Sequence, residues 1–205
     1  MAFDTPASDA SLAKASKGLS ERNVTVYTVD TRADALAKIR ELIPHGAEVM
    51  TGASVTLEEI GFVDLLKSGT HPWRNLKDAI VAETDPAKQA QLRKQASLSQ
   101  YFLGSVHAVT EAGELMIASN SGSQIPSYAF SSDHVIWVVG AQKVVKDLDA
   151  AFTRVREYVV PLEDEHMKSL GVASGTNLSK MLIFFKEILP TRKLVLVFVK
   201  EKSGF

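Results

Sequence analysis

The sequence predicts an α/β fold, a layered and mostly parallel sheet flanked by helices. Three observations point there. Val135 to Val139 is continuously apolar, as a parallel strand covered on both faces requires. Ala47 to Met50 is a short apolar run that feeds Thr51-Gly52-Ala53-Ser54 and then a helical pattern, a strand–turn–helix unit. Strand-like and helix-like stretches alternate along the rest of the chain. With 205 residues, no internal repeat, no low-complexity tract and no linker, the chain reads as a single domain over 1–205.

The elements follow in order. Residues 1–20 read as an amino-terminal helical extension, rich in Ala, Ser and Lys from Ala7 to Leu19. Asn23 to Val29 alternates as a strand. Thr31 caps the next helix, with Leu36, Ile39 and Ile43 on one face and Pro44 at its end. Thr56 opens a further helix with Glu59 three residues on, the spacing of a capping box, and Leu57, Ile60, Val63 and Leu66 form its apolar stripe. Residues 67–84 are irregular. A polar helix from about Ala87 to Ser99 has only a weak apolar face, so 67–99 reads as a lid or a dimer arm, the latter implying a homodimer. Tyr101 to Thr110 is strand-like, Gly113 turns, and Glu114 to Ala118 is a second strand. Ser119 to Gln124 is a small polar loop before a short helix at Ile125 to Phe130. After Gly140 a helix starts near Asp147 and buries Leu148, Ala151, Phe152, Val155 and Val159. In Ser179 to Glu187 the run Met181 to Phe185 suits a buried strand or a short helix, with strand the favoured reading, and Lys193 to Lys200 is a strand.

Composition narrows the function classes. Lys and Arg total 23 against 24 Asp and Glu, a net charge of −1, which argues against a general nucleic-acid binder. The absence of cysteine excludes disulfides, thiolate catalysis and cysteine-held zinc or iron–sulfur clusters within the chain. No two of the five histidines lie three or four residues apart, so no helical histidine pair offers a metal. The start, Met1-Ala2-Phe3-Asp4-Thr5, is not a cationic leader, and the longest apolar run, Leu194 to Val199, is far below the roughly 18 residues of a membrane helix. The expected location is the cytoplasm, with no membrane and no nucleic-acid partner and no cofactor held by the chain itself.

Two segments have the makings of a site. In an open α/β sheet, ligands bind beyond the carboxyl ends of the strands. Gly52, Ser54, Thr56 and Glu58 stand at such an end and at a helix start, where free amides favour an anion. A capping turn alone is the plain alternative. The order is neither G-x-S-x-G, since Thr56 holds the last position, nor a P-loop, nor G-x-G-x-x-G. Ser121, Gly122, Ser123 and Gln124 form a chain of small polar residues whose backbone can approach a phosphate or carboxylate. Glu111 at a turn is the acid–base candidate, against the alternative of a surface turn. Lys143 and Lys146 follow the central strand, though lone lysines are more often solvated. His107, Trp73 and Arg74 have plainer structural readings.

At these segments the sequence is similar to a known family. Ile43-Pro44-x-Gly46-x-x-Val49-x-x-Gly52-x-Ser54-x-Thr56-Leu57-x-Glu59-Ile60-Gly61 resembles the amino-terminal signature of the lactate-utilisation (LUD) domain family. Phe102-Leu103-Gly104-Ser105-Val106-His107-Ala108-Val109-Thr110-Glu111-x-Gly113-Glu114-Leu115 continues the resemblance. So do Ser121-Gly122-Ser123-Gln124, Val135 to Gly140, Lys143-Val144-Val145-x-Asp147-Leu148 and the ending Lys200 to Phe205. Each motif is loose; their order and spacing are specific, and they span the chain from about residue 20 onward.

The resemblance implies the NagB/RpiA/CoA transferase-like fold, shared by CoA transferases, ribose-5-phosphate isomerase and glucosamine-6-phosphate deaminase. It implies a small anionic metabolite, carboxylate or phosphate, as ligand, with Lys143 as an electrostatic clamp. It also implies work with iron–sulfur protein partners in oxidising L-lactate to pyruvate. Larger relatives carry cluster cysteines, which this chain lacks, so electron transfer would need a partner. If Gly104-Ser105 matches the Gly-Ala pair of the sugar-phosphate isomerases, Val106 stands where their catalytic Asp is expected. Glu111 is the nearest positional candidate for the Glu nucleophile of CoA transferases. Two other readings stay open: a stand-alone isomerase or acyl/CoA transferase on a phosphorylated or thioester substrate, and a non-catalytic structural or regulatory subunit.

Overall fold

The computed structural model describes residues 3–205. Met1 and Ala2, part of the stretch read for a leader, lie outside them. The elements in order are α1 (Asp9–Glu21), β1 (Val24–Val29), α2 (Arg32–Leu42), β2 (Glu48–Thr51), α3 (Val55–Glu59), α4 (Phe62–Ser68), β3 (Arg74–Asn75), α5 (Leu76–Ala82) and α6 (Pro86–Gln95). Then come β4 (Tyr101–Gly104), β5 (Ala108–Thr110), β6 (Leu115–Ser119), β7 (His134–Gly140), β8 (Val144–Val145), α7 (Leu148–Arg154), α8 (Val160–Ser169), β9 (Lys180–Phe184) and β10 (Lys193–Val199). A single π-helical turn, Val155–Val159, joins α7 to α8.

Six strands form a wholly parallel sheet in the order β1-β10-β7-β4-β2-β3. A second sheet, β8-β5-β6-β9, pairs β5 parallel to β8 and is otherwise antiparallel. The fold is therefore α/β with a mostly parallel central sheet between helices. The apolar run of β7 is explained by its place at the middle of the large sheet. Val135, Trp137 and Val139 enter one core, with Leu12 and Leu19 of α1. Ile136 and Val138 point the other way, into a core with Ile39 of α2 and Leu57 of α3. β10 repeats the pattern: Leu194, Leu196 and Phe198 face the first core, Val197 and Val199 the second. A strand buried on both faces has no polar side to show, which is why its sequence does not alternate.

Several expectations are corrected. Within the stretch read as a helical extension, α1 is tied to the body of the fold, with Leu12, Ala15 and Leu19 buried in the first core. The helix after β2 starts two residues earlier: Ser54 is the cap, its Oγ accepting the Leu57 N–H at 3.3 Å, and Thr56 lies inside the helix. Glu59 does not close a capping box; it binds Ser203 and Gly204. Gly61, at φ +81°, breaks the apolar stripe into α3 and α4, a backbone turn that a side-chained residue adopts only with strain. The irregular 67–84 stretch contains β3 and α5, with Ile80 buried. Tyr101 to Thr110 is not one strand: β4 belongs to the parallel sheet and β5 to the second sheet, with Ser105-Val106-His107 crossing between them. The short helix expected at Ile125 to Phe130 is a π-helical turn at Ser127–Ser131. Arg192 holds its open carbonyls, donating to those of Ser127, Tyr128, Ala129 and Ser132 while paired with the buried Glu187.

α6 buries none of its residues, as its weak apolar face predicts. Among the described residues no helix is long and apolar enough to cross a membrane.

Candidate functional site

The loops at the carboxyl ends of β2, β4 and β7 turn toward the second sheet and enclose a cavity of about 420 Å³. Ser54, Thr56 and Glu58 bring one wall from the β2–α3 turn. Ser105 and His107 bring another from the β4–β5 crossing. The end of β6 contributes Ser119, and the loop after it Ser121, Ser123 and Gln124. Lys143, in the turn after β7, closes the floor, and Glu163 and His166 of α8 with Phe205 form the far side. This is the position where an open parallel sheet places ligands.

Seven of the nine residues expected to bind a ligand therefore meet in one cavity: Ser54, Thr56, Glu58, Ser121, Ser123, Gln124 and Lys143. Gly52 and Gly122 do not line it. A Cβ on Gly52 would stand 2.6 Å from the Gln124 side chain, so its bareness lets the two loops approach. Gly122 packs against the Lys180 stem. Glu111 is outside the cavity altogether. It sits beyond the end of β5, where Lys14 donates to it at 2.9 Å, and that hydrogen bond, with a second from Ser11, holds its carboxyl below the usual range. The turn that made Glu111 prominent in the sequence points it at α1 instead. The 67–99 segment does not line the cavity either.

The floor is unusual. Lys143 is 3% exposed, and its Nζ donates to Thr56 Oγ1 at 2.9 Å and to Ser105 Oγ at 3.1 Å. Neither partner is an anion. Burial pushes its amine down to about 7; Arg154 pushes the same way and Glu59 opposes both. His107, enclosed by protein yet partly open to the cavity, accepts the Ala118 N–H on Nδ1 at 3.0 Å. Burial, Lys143 and Arg154 lower it to about 3, so the ring is neutral with its proton on Nε2. Arg154, at the end of α7, is 0% exposed and lies near the rings of Tyr158 and Phe3, at 5.1 and 6.0 Å. Among the described residues its Nε, Nη1 and Nη2 have no hydrogen-bond partner. On the far side Glu163 is raised, first by burial and then by Glu58, with His166 opposing.

The segment after β10 underpins this floor. Gln142 Nε2 donates to the carbonyls of Ser203 and Gly204, each at 2.9 Å. Glu59 accepts from Ser203 Oγ at 3.1 Å and from the Gly204 N–H at 3.0 Å. Thr56 Oγ1 donates to Ser203 O at 3.3 Å. Gly204 has φ +63°, and a Cβ there would fall 2.3 Å from Thr56 Oγ1 and 3.1 Å from Lys143 Nζ, so only glycine fits. Ser105, Arg154, Ser203 and Gly204 were not sequence candidates, and Glu59 was read only as a cap. Of these, Ser105 alone had a local signal, as the first residue past the end of a parallel strand. Among the described residues no three His, Asp or Glu side chains gather as a metal site.

A crystal structure of a DUF162 family protein from Deinococcus radiodurans, at 1.70 Å resolution, is similar in fold, with a TM-score of 0.55 and 13% sequence identity. The likeness covers 94% of this chain and 99% of that one. Comparison with curated proteins gives no match. The LUD domain model matches residues 12–173, from α1 through α8, which includes every cavity wall except Thr176, Asn177 and Phe205. With most of its length matched in this way, the chain belongs to the LUD domain family.

Proposed function

We propose that the protein binds a small anionic metabolite, carboxylate or phosphate, in the cavity at the strand ends. In that role it acts with iron–sulfur protein partners in the oxidation of L-lactate to pyruvate. The observation that carries the binding is the floor: Lys143, buried against two hydroxyls, has no carboxylate in hydrogen-bond contact among the described residues. Arg154 adds positive potential from the same side. Hydroxyls of Ser54, Ser121 and Ser123 supply neutral donors around the opening. An anion that reaches Lys143 favours its ammonium form, so binding takes up a proton above about pH 7. The partner role rests on family membership, and the lack of cysteine leaves cluster chemistry to a partner.

A thermal-shift screen tests the reading, with L-lactate, pyruvate, ribose 5-phosphate, other sugar phosphates, CoA and acyl-CoA thioesters. A ligand that binds the folded state raises the midpoint by mass action. We expect a rise with a small anion, and its loss in Ser123→Asp, which places a negative charge at an exposed loop position without disturbing the core. No shift with any compound, or an equal shift in the variant, would remove the proposed site.

A further inference from the structure

We propose that Ser105 is a nucleophile and Lys143 its general base, which makes the cavity an acyl-transfer site for esters or thioesters of carboxylic acids. The inference goes beyond anion binding, since a ligand held without reacting needs no activated hydroxyl. The geometry supports it in three ways. Ser105 is the first residue past β4 and remains partly open to the cavity, while Lys143 is sealed behind it with Nζ at 3.1 Å. The one hydroxyl hydrogen of Thr56 reaches Ser203 O at 3.3 Å and Ser105 Oγ at 3.4 Å, so toward Lys143 this residue acts as acceptor. At rest Ser105 Oγ accepts from Lys143 and donates to the Val106 carbonyl at 3.3 Å, so its hydrogen swings from that carbonyl to the neutral amine when Lys143 acts as base. Finally, no carboxylate among the described residues pairs with Lys143 to hold it as an ammonium, and burial keeps a large share of it neutral near pH 7.

The step balances within the site. Lys143 takes the Ser105 Oγ proton as Oγ attacks the acyl carbon, and the carbonyl π pair moves to oxygen. The tetrahedral adduct collapses, the carbon–sulfur or carbon–oxygen bond breaks, and the departing thiolate or alkoxide takes the proton from Lys143. Water or an acceptor hydroxyl or thiol then releases the acyl group from Ser105 by the same steps reversed, with Lys143 again the base. His107, neutral and two residues on, offers an N–H on the same wall. The Ser203–Gly204 segment and Gln142 are positioning residues, because they fix the Thr56 hydroxyl that orients Lys143.

The test uses the whole chain with two probes, a fluorophosphonate and p-nitrophenyl acetate, read by intact mass and peptide mapping. We expect one adduct per chain on Ser105, forming faster as pH rises through about 7. Ser105→Ala should abolish it, and Ser105→Cys should restore acylation by p-nitrophenyl acetate. Lys143→Met should slow labelling by about 100-fold or more, the usual worth of a positioned base. Ser105→Ala removes one partly exposed oxygen, so its fold is expected to hold, checked by circular dichroism. An unlabelled Ser105 overturns the proposal, as does labelling that is indifferent to Lys143→Met. So does an adduct on Lys143 itself, or capture of a carbonyl compound there under borohydride, since either makes the amine the nucleophile. Anion-induced thermal shifts that persist in Ser105→Ala keep the two readings separable.

Discussion

Lys143→Met should change the pH dependence of stability. In the unfolded chain the amine titrates near its ordinary value of 10.5, and in the fold near about 7. Folding therefore forces a proton off wherever the pH lies between those values. The unfolded state binds more protons there, so wild-type stability rises with pH across that window and is level below it. At about 1.4 kcal/mol per pH unit the whole window represents a ceiling of about 5 kcal/mol. Between about pH 7 and about pH 9 the expected gain is roughly 2–3 kcal/mol. Methionine keeps the stem and removes the titration, so the variant lacks this slope. It also leaves Thr56 and Ser105 without their donor, but that cost is the same at every pH. Lys77, likewise lowered by burial, contributes equally to both proteins and cancels in the difference. Urea denaturation across this pH range is the assay, with stability compared between the two proteins. Parallel curves would mean that Lys143 folds as an ordinary solvated ammonium, and the account of the cavity floor would fail with it.

Two further outcomes follow from the placement of other groups. Glu111→Gln should leave both the thermal midpoint and any ligand-induced shift unchanged, because the carboxylate engages Lys14 outside the cavity; a lost ligand response would return Glu111 to the site. Arg192→Leu should cost about 3–5 kcal/mol in chemical denaturation, because it leaves the buried Glu187 unpaired and opens four backbone carbonyls; a loss below about 1 kcal/mol would show that water replaces it freely.

The large sheet was legible because its signal is local. β7 and β10 are uninterrupted apolar runs, and two-sided burial leaves that mark wherever the strand sits in the chain. The breaks were harder. Nothing in Tyr101 to Thr110 marks a change of sheet, since both halves are fully buried and apolar side chains look alike in either. The small-residue loops at 52–56 and 121–124 were readable as loops at strand ends because strand ends and turn residues are local features too, and the structure brings the two together at the cavity. Lys143 was visible only as a lysine after a strand. Its burial depends on Thr56, which lies 87 residues earlier, and on the crossing at Ser105. Glu111 misled for the converse reason: adjacency to the β5 turn is plain in the sequence, while the side that the turn faces is set by α1. The support from Ser203 and Gly204 joins Glu59 across a separation of 144 and 145 residues, beyond any periodicity.

The order of the large sheet also bears on how the chain acquires its shape. β1 precedes every other strand of the sheet in this sequence, yet its sheet partner is β10, with Val24 set against Leu194. Until β10 enters between β1 and β7, both strands present unpaired backbone edges and apolar faces. Closing so long a loop is an entropic barrier that few earlier contacts offset, so completion of the sheet is a late and slow event. During synthesis the nascent chain would hold open strand edges on β1 and β7 until β10 emerges, the interval in which self-association competes most strongly with folding.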